Sequence, residues 1–141
     1  MTKYDDASWH SGGDFPVDLT PEAGATHIGM FLAWAWLRGL AGELHAIDFP
    51  DDVELARSRA VSPRQLATQC CDGKLTDEDF NELGNGFAKH YLDLESGVFF
   101  ADYEAALGAT LPSLYHVEDT WANFDRLRPV IDERFESWRA V

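Results

Sequence analysis

The chain carries five histidines, but none of them has a spacing that defines a catalytic or metal-binding motif. They are His10, His27, His45, His90 and His116. No two histidines are two or four positions apart, the HxH and HxxxH spacings that place two imidazoles on one side of a strand or a helix. A metal or catalytic site would therefore have to be assembled from segments that are distant in the sequence.

The densest local group of possible ligands lies near the N-terminus. It combines His10 with Asp14 and with either Asp5 or Asp6. Carboxylate pairs arise by chance in so acidic a chain, so the simpler expectation is that Trp9 anchors this segment while His10 and Asp14 form local hydrogen bonds. We therefore expect no metal site and no cofactor.

Two further histidines are candidates because of where they stand in the sequence. His27 begins the apolar run that ends at Leu37, and His116 precedes the last predicted helix. A single histidine on a core helix is usually a hydrogen-bonded structural residue. If His27 lines a cavity, burial would lower its pKa and make it a neutral base.

Aromatic residues make up 13% of the chain, which is a high share. Trp34 and Trp36 would project from different sides of a helix, so they cannot contact the same neighbour and one could be exposed. Trp and Tyr beside acidic residues are typical of binding surfaces. Trp9 and Trp36 are therefore candidate partner contacts, although most of the aromatic residues are expected to fill the core.

Motifs for nucleophilic or nucleotide chemistry do not occur in the sequence. The two cysteines, Cys70 and Cys71, are adjacent, a spacing that strains a disulfide, and they fall near a predicted helix C-terminus where the dipole disfavours a thiolate. No phosphate-binding glycine loop and no GxSxG elbow is present. The absence of these motifs leaves open whether the protein is an enzyme and favours a protein that is not one.

The charge is strongly negative. Twenty-five Asp and Glu face 11 Lys and Arg, which gives a net charge of −14. The acids concentrate in 1–22, 43–60 and 72–104, whereas 118–139 is closer to balance. Such a field repels nucleic acid and anionic membranes and attracts basic proteins, although it also serves solubility alone. We therefore expect a basic protein partner, no nucleic acid and no membrane.

Helical spacing of apolar residues recurs along the chain, and no strand alternation is visible. We predict an all-α, single-domain bundle of five to seven helices over 1–141, with an ordered, non-helical N-terminal arm at 1–22 that packs on it. The predicted helices run from Pro21 or Ala25 to about Leu44, near 50–59, from Pro63 to about Cys71, from a capping box at Thr76–Asp79 through Tyr91, from Phe99 to Leu107 and from Glu118 to Arg139.

The N-terminus is polar and acidic and does not resemble a signal peptide. The most apolar run, Ile28 to Leu37, is too short to span a bilayer. Unpaired cysteines suit a reducing compartment. These features predict a cytoplasmic protein, and they leave its oligomeric state open.

Three stretches resemble a family of small acidic bacterial proteins of unknown function. They are YDDASWH with GDFP at Tyr4–His10 and Gly13–Pro16, ATHIGMFLAW at Ala25–Trp34, and LYHVEDTWANF at Leu114–Phe124. The resemblance implies a bacterial, cytoplasmic, single-domain protein. It implies no activity and no catalytic residues.

These observations favour an acidic protein-binding module, in a concrete form an immunity-type inhibitor of a basic toxin or effector. The alternative is an enzyme or small-ligand-binding protein with a site between the N-terminal arm and the long first helix. It requires His10, Asp14 and His27 to converge in an aromatic-lined pocket. A third possibility, an oligomer-forming subunit, requires a large apolar surface patch.

Overall fold

A buried helix, α2 (Thr26–Leu37), lies at the centre of the fold in the computed structural model, which describes residues 2–140. The other α-helices are α1 (Ala7–His10), α3 (Pro50–Ser58), α4 (Pro63–Cys70), α5 (Glu82–Tyr91), α6 (Val98–Tyr103) and α7 (Trp121–Arg139). Short 3₁₀ or π turns occupy Pro21–Ala25, Leu44–Asp48, Asp77–Asp79, Glu104–Gly108 and Leu114–His116. The all-α prediction is confirmed.

The apolar character of α2 on all sides explains its central position. Every residue from Thr26 to Trp36 is buried. Trp34 donates its indole N–H to Asp132 of α7 at 2.8 Å, whereas Trp36 donates its own to the Asp79 carbonyl at 3.1 Å. The two indoles do have different neighbours, as their spacing requires, but neither is exposed.

The prediction that this helix continues to about Leu44 is wrong. Its regular part ends at Leu37, and Gly39 follows with a φ of +77°. A left-handed residue just after the last turn is a common way to end a helix, and glycine adopts that conformation without a steric penalty. The chain then reverses before the π turn at Leu44–Asp48.

The N-terminal arm is ordered, as predicted, but it is not free of regular structure. Strand β1 (Lys3–Asp6) pairs antiparallel with β2 (Lys74–Thr76), and α1 follows directly. The Asp6 side chain accepts a hydrogen bond from the Ser8 N–H and so caps α1. Both strands are too short to show an alternating pattern, which explains why the sequence did not indicate them.

The remaining predicted helices are present with shifted ends. The helix expected to open at the Thr76–Asp79 capping box begins instead at Glu82, because that capping box closes only a 3₁₀ turn and Asn81 caps α5. The last helix is continuous through Pro129 from Trp121 to Arg139. Within residues 2–140, no helix is both long enough and apolar enough to cross a membrane.

Close packing of α2 on α4 yields a stability prediction. A Cβ on Gly29 would overlap the Pro63 carbonyl, so Gly29→Ala should destabilise the fold by about 1–3 kcal/mol despite the better helix propensity of alanine. The measurement is the free energy of unfolding in urea. Gly12→Ala is the matched control, because a Cβ at Gly12 meets nothing within 4 Å. Equal stabilities of the two variants would contradict the close approach.

Candidate functional site

A buried carboxylate, Asp5 of β1, joins two histidines that are distant in the sequence. His10 Nε2 lies 2.7 Å from Asp5 Oδ1, and His27 Nε2 lies 2.8 Å from Asp5 Oδ2. The ring centroids of the two histidines are 4.6 Å apart. The Asp5 cluster, which we define as Asp5, His10, His27 and Tyr115, thus joins the N-terminal arm to the central helix.

Tyr115, which is 105 residues after His10 in the sequence, completes the cluster. Its hydroxyl lies 2.7 Å from His10 Nδ1. Aromatic rings enclose the imidazoles, with Phe100 at 5.3 Å from His27 and 5.8 Å from His10 between ring centroids. Each of the three stretches that carry the family resemblance supplies at least one member of the cluster.

The hydrogen bonds and burial assign a protonation state to the cluster. Burial lowers the pKa of His27. The neutral ring then donates from Nε2 to Asp5, and its buried Nδ1, which has no hydrogen-bond partner among residues 2–140, carries a lone pair rather than a proton. Burial alone would raise the pKa of Asp5, but hydrogen bonds from His10 and His27 outweigh it and lower that pKa to about 2.

The other predicted candidates lie elsewhere. Asp14 is exposed and lies outside the cluster, whereas Asp5, one of the two acids grouped with it in the sequence, bonds His10. His116 neighbours the cluster but bonds Asp18 at 2.9 Å through Nε2 and Ser113 at 2.8 Å through Nδ1. Trp9 is half exposed, whereas Trp36 is 1% exposed and contributes to the lining of a small groove beside Ala46 and Val53.

The Asp5 cluster is an enclosed group rather than an open pocket. His27 is 1% exposed as a residue, and 12% of the His10 side chain is exposed. The facing atoms of Asp5, His10 and His27 lie within 4.8 Å of one another, close enough to hold a metal ion. The same atoms also form hydrogen bonds with one another, and these bonds fasten the N-terminal arm to α2. We call this arrangement the clamp, and the burial of its atoms supports this structural role most directly.

A second histidine–carboxylate group lies on the other side of α2. His45 Nε2 is 2.9 Å from Asp79 Oδ1, and His45 Nδ1 is 2.9 Å from Asp52 Oδ2. The Cys71 thiol approaches the same Asp79 oxygen at 3.3 Å. We define the His45 cluster as His45, Cys71, Asp79 and Asp52.

The pKa shifts in the His45 cluster favour a protonated imidazole and a protonated thiol. Burial opposes charge on His45, but hydrogen bonds with Asp79 and Asp52 outweigh it and raise its pKa. Burial and the Asp79 carboxylate raise the pKa of the Cys71 thiol well above its usual range. The thiol is therefore protonated, and the group lacks the thiolate that a nucleophilic cysteine requires.

Sequence reasoning did not predict the His45 cluster. His45 and Asp79 are 34 residues apart, and Asp79 belongs to the acidic triplet Asp77–Asp79, in which no sequence pattern marks it as buried, although it is only 4% exposed. One local signal could have identified Asp79 as a structural residue. It lies three residues after Thr76, in the capping-box position whose carboxylate bonds the backbone.

The surface beside the His45 cluster is acidic. We define the acidic face as residues 43–54. It contains five Asp and Glu residues and no Lys or Arg. Ile47 and Phe49 protrude from it, with 67% and 58% of their surface exposed.

A separate groove of 680 Å³ lies between α5 and α7, remote from both clusters, and Arg134 and Arg139 contribute to its lining. Both arginines already form ion pairs, with Asp102 and Glu136 respectively. Its basic lining also makes it unsuited to a basic partner.

The Asp5 cluster predicts how stability depends on pH. The folded-state pKa of Asp5, about 2, is below the ordinary 3.8, so its contribution is present above pH 3.8 and is lost as the pH falls through about 2. The lowered pKa of His27 acts in the same direction below pH 6.5, because the unfolded chain takes up the proton first. Asp5→Asn should therefore cost about 2 kcal/mol near pH 6, and the difference from wild type should shrink toward pH 2.

Urea unfolding measured at a series of pH values tests this prediction. Asp14→Asn is the matched control, because it removes an exposed carboxylate from the same arm. Its stability should follow the wild-type profile. If Asp5→Asn ran parallel to wild type over the whole range, the clamp would be refuted.

Comparison with known proteins identifies the family alone. The model of a family described as Domain of unknown function (DUF7832) matches residues 3–117, a range that includes both clusters and the acidic face. The curated proteins and the solved structures give no match. The chain therefore belongs to the family described as Domain of unknown function (DUF7832).

Proposed function

We propose that the protein binds a basic protein partner through the acidic face, residues 43–54. The observation that carries the proposal is the exposure of two large apolar side chains, Ile47 and Phe49, within a segment that has acids and no Lys or Arg. Large apolar groups surrounded by one sign of charge fit a partner of the opposite charge.

The acids of this face are placed to steer such a partner. Glu43, Asp48, Asp51 and Glu54 are exposed around the two apolar side chains. Their attraction would raise the rate of association at low salt and would decline as salt screens it. The apolar contacts would supply the part of the affinity that persists at high salt.

A small groove adjoins the face and could receive a side chain of the partner. It has a volume of 280 Å³, and its lining includes Ala46, Pro50 and Val53, with Arg57 also contributing. A partner that places an apolar side chain there and basic residues opposite the acids would complement both features of the surface.

The concrete form of the proposal is an immunity-type inhibitor in the bacterial cytoplasm that neutralises a basic toxin or effector. An inhibitor of this kind needs a stable scaffold and a complementary surface, and it needs no catalytic group of its own. The Asp5 and His45 clusters are largely buried and belong to the scaffold, so they leave the acidic face free to bind the partner.

The convergence of His10 and His27 supports a second candidate, a small-ligand-binding or catalytic site between the arm and α2. This candidate requires solvent access to the imidazoles. His27 is 1% exposed, so a ligand would have to displace packed aromatic rings to reach it. The protein-binding proposal requires no such rearrangement, and we therefore prefer it.

Substitution of the exposed apolar pair tests the proposal. The bait is the purified protein in an extract of its native host, and the captured protein is identified and then titrated at low and high salt. The double variant Ile47→Ala with Phe49→Ala should lower the affinity at least about 10-fold, since interface anchors of this size contribute 1.4 kcal/mol or more. The partner should carry net positive charge and bind more weakly at high salt.

The matched control is the double variant Val17→Ala with Leu111→Ala, which also removes two exposed apolar side chains but lies outside the acidic face. It should bind as wild type does. An acidic partner, a salt-insensitive affinity, or equal losses in the two double variants would refute the proposal. For the inhibitor form, co-expression should restore growth to cells that produce the partner.

A further inference from the structure

Three side chains of the His45 cluster direct one donor atom each toward the same place. They come from separate elements, with His45 in the π turn, Cys71 at the end of α4 and Asp79 at the end of a 3₁₀ turn. Nε2 of His45 is 2.9 Å from Oδ1 of Asp79, and Sγ of Cys71 is 3.3 Å from that oxygen and 3.8 Å from that nitrogen.

The other polar atoms of the imidazole and the carboxylate, which point away from this place, form hydrogen bonds with neighbouring groups. His45 Nδ1 bonds Asp52 at 2.9 Å, and Asp79 Oδ2 accepts the Thr76 backbone N–H at 2.8 Å. A carboxylate on the far nitrogen of a histidine is the usual arrangement behind a metal-bound imidazole, because it fixes the ring and raises its basicity.

We propose that His45, Cys71 and Asp79 form a binding site for a divalent transition metal, with zinc the best fit. Imidazole, thiolate and carboxylate are the three ligand types that zinc takes in proteins. Zinc bonds of about 2.0–2.3 Å in a tetrahedron place donor atoms roughly 3.3–3.7 Å apart. The three separations lie around that range, so small adjustments would admit the ion.

The charges of the cluster also suit a cation. Asp52 and Asp79 bring two carboxylates next to one thiol in a largely buried place, with His45 as the counterion. A metal ion would displace two protons that now point to Asp79, one from the Cys71 thiol and one from Nε2 of His45, and both would be released to solvent. A thiolate and a neutral imidazole would then be ligands, with the Nδ1 proton of His45 retained on Asp52. Cys71 is the partly exposed member of the three, so we expect an ion to reach the cluster from its side.

The Asp5 cluster is the competing site, since its donor atoms also lie within 4.8 Å of one another. There the two imidazoles bond different oxygens of one carboxylate, so ordinary hydrogen bonds account for its geometry. It contains no sulfur. That difference allows spectroscopy to tell the two sites apart.

Cobalt(II) titration of the full chain, kept reduced with a phosphine, is the experiment. One equivalent of cobalt should bind and produce the thiolate-to-cobalt charge-transfer absorption that a sulfur ligand gives, and zinc should displace it. Cys71→Ser should remove the band and lower the affinity by more than about 100-fold. Asp52→Asn should lower it by about 10–100-fold while the band remains.

Cys70→Ser is the matched control, because it changes the neighbouring cysteine, whose thiol is not one of the three donors. It should retain the band, as should His27→Gln in the Asp5 cluster. Absence of binding, binding without the band, or a band that is lost in Cys70→Ser but not in Cys71→Ser would overturn the proposal. The wild-type spectrum decides the matter even if Cys71→Ser does not fold.

Discussion

The hydrogen bonds of one buried carboxylate, Asp5, determine how the N-terminal arm meets the rest of the protein. A carboxylate that is 3% exposed must be paired to remain ionised, and here His10 and His27 provide the pairing. Removing one partner of a buried charge typically costs about 3–5 kcal/mol. The arm is therefore an integral part of the core.

The position of the arm has consequences along the chain. Strand β1, which carries Asp5, pairs with β2, and the Asp77 N–H donates to the Thr2 carbonyl at 3.0 Å. This pairing fixes the 3₁₀ turn after β2, in which the Thr76 N–H donates to the Asp79 carboxylate. That carboxylate also bonds His45. The acidic face begins at that histidine's turn, so the two clusters and the proposed binding surface belong to one connected framework around α2.

The helices and the central position of α2 could be predicted from the sequence, because apolar spacing is a local signal. The meeting of His10 with His27 was only a requirement of one alternative, since spacing does not show which distant segments converge. Which acid bonds the two histidines could not be predicted, because a four-residue strand has no pattern that shows which acids point inward. The His45 cluster could not be predicted, since its members are far apart in a sequence rich in acids. Binding of a partner leaves still less trace in local spacing.

The most direct test of the clamp is nitrogen-15 NMR of the His27 side chain through a pH titration. We expect a neutral ring with its proton on Nε2, which stays neutral as the pH falls below 6.5, where an ordinary histidine takes up a proton. Substitution of Asp5 by Asn should disturb that state. An ordinary titration of His27 near 6.5, or a ring protonated on both nitrogens at neutral pH, would contradict it.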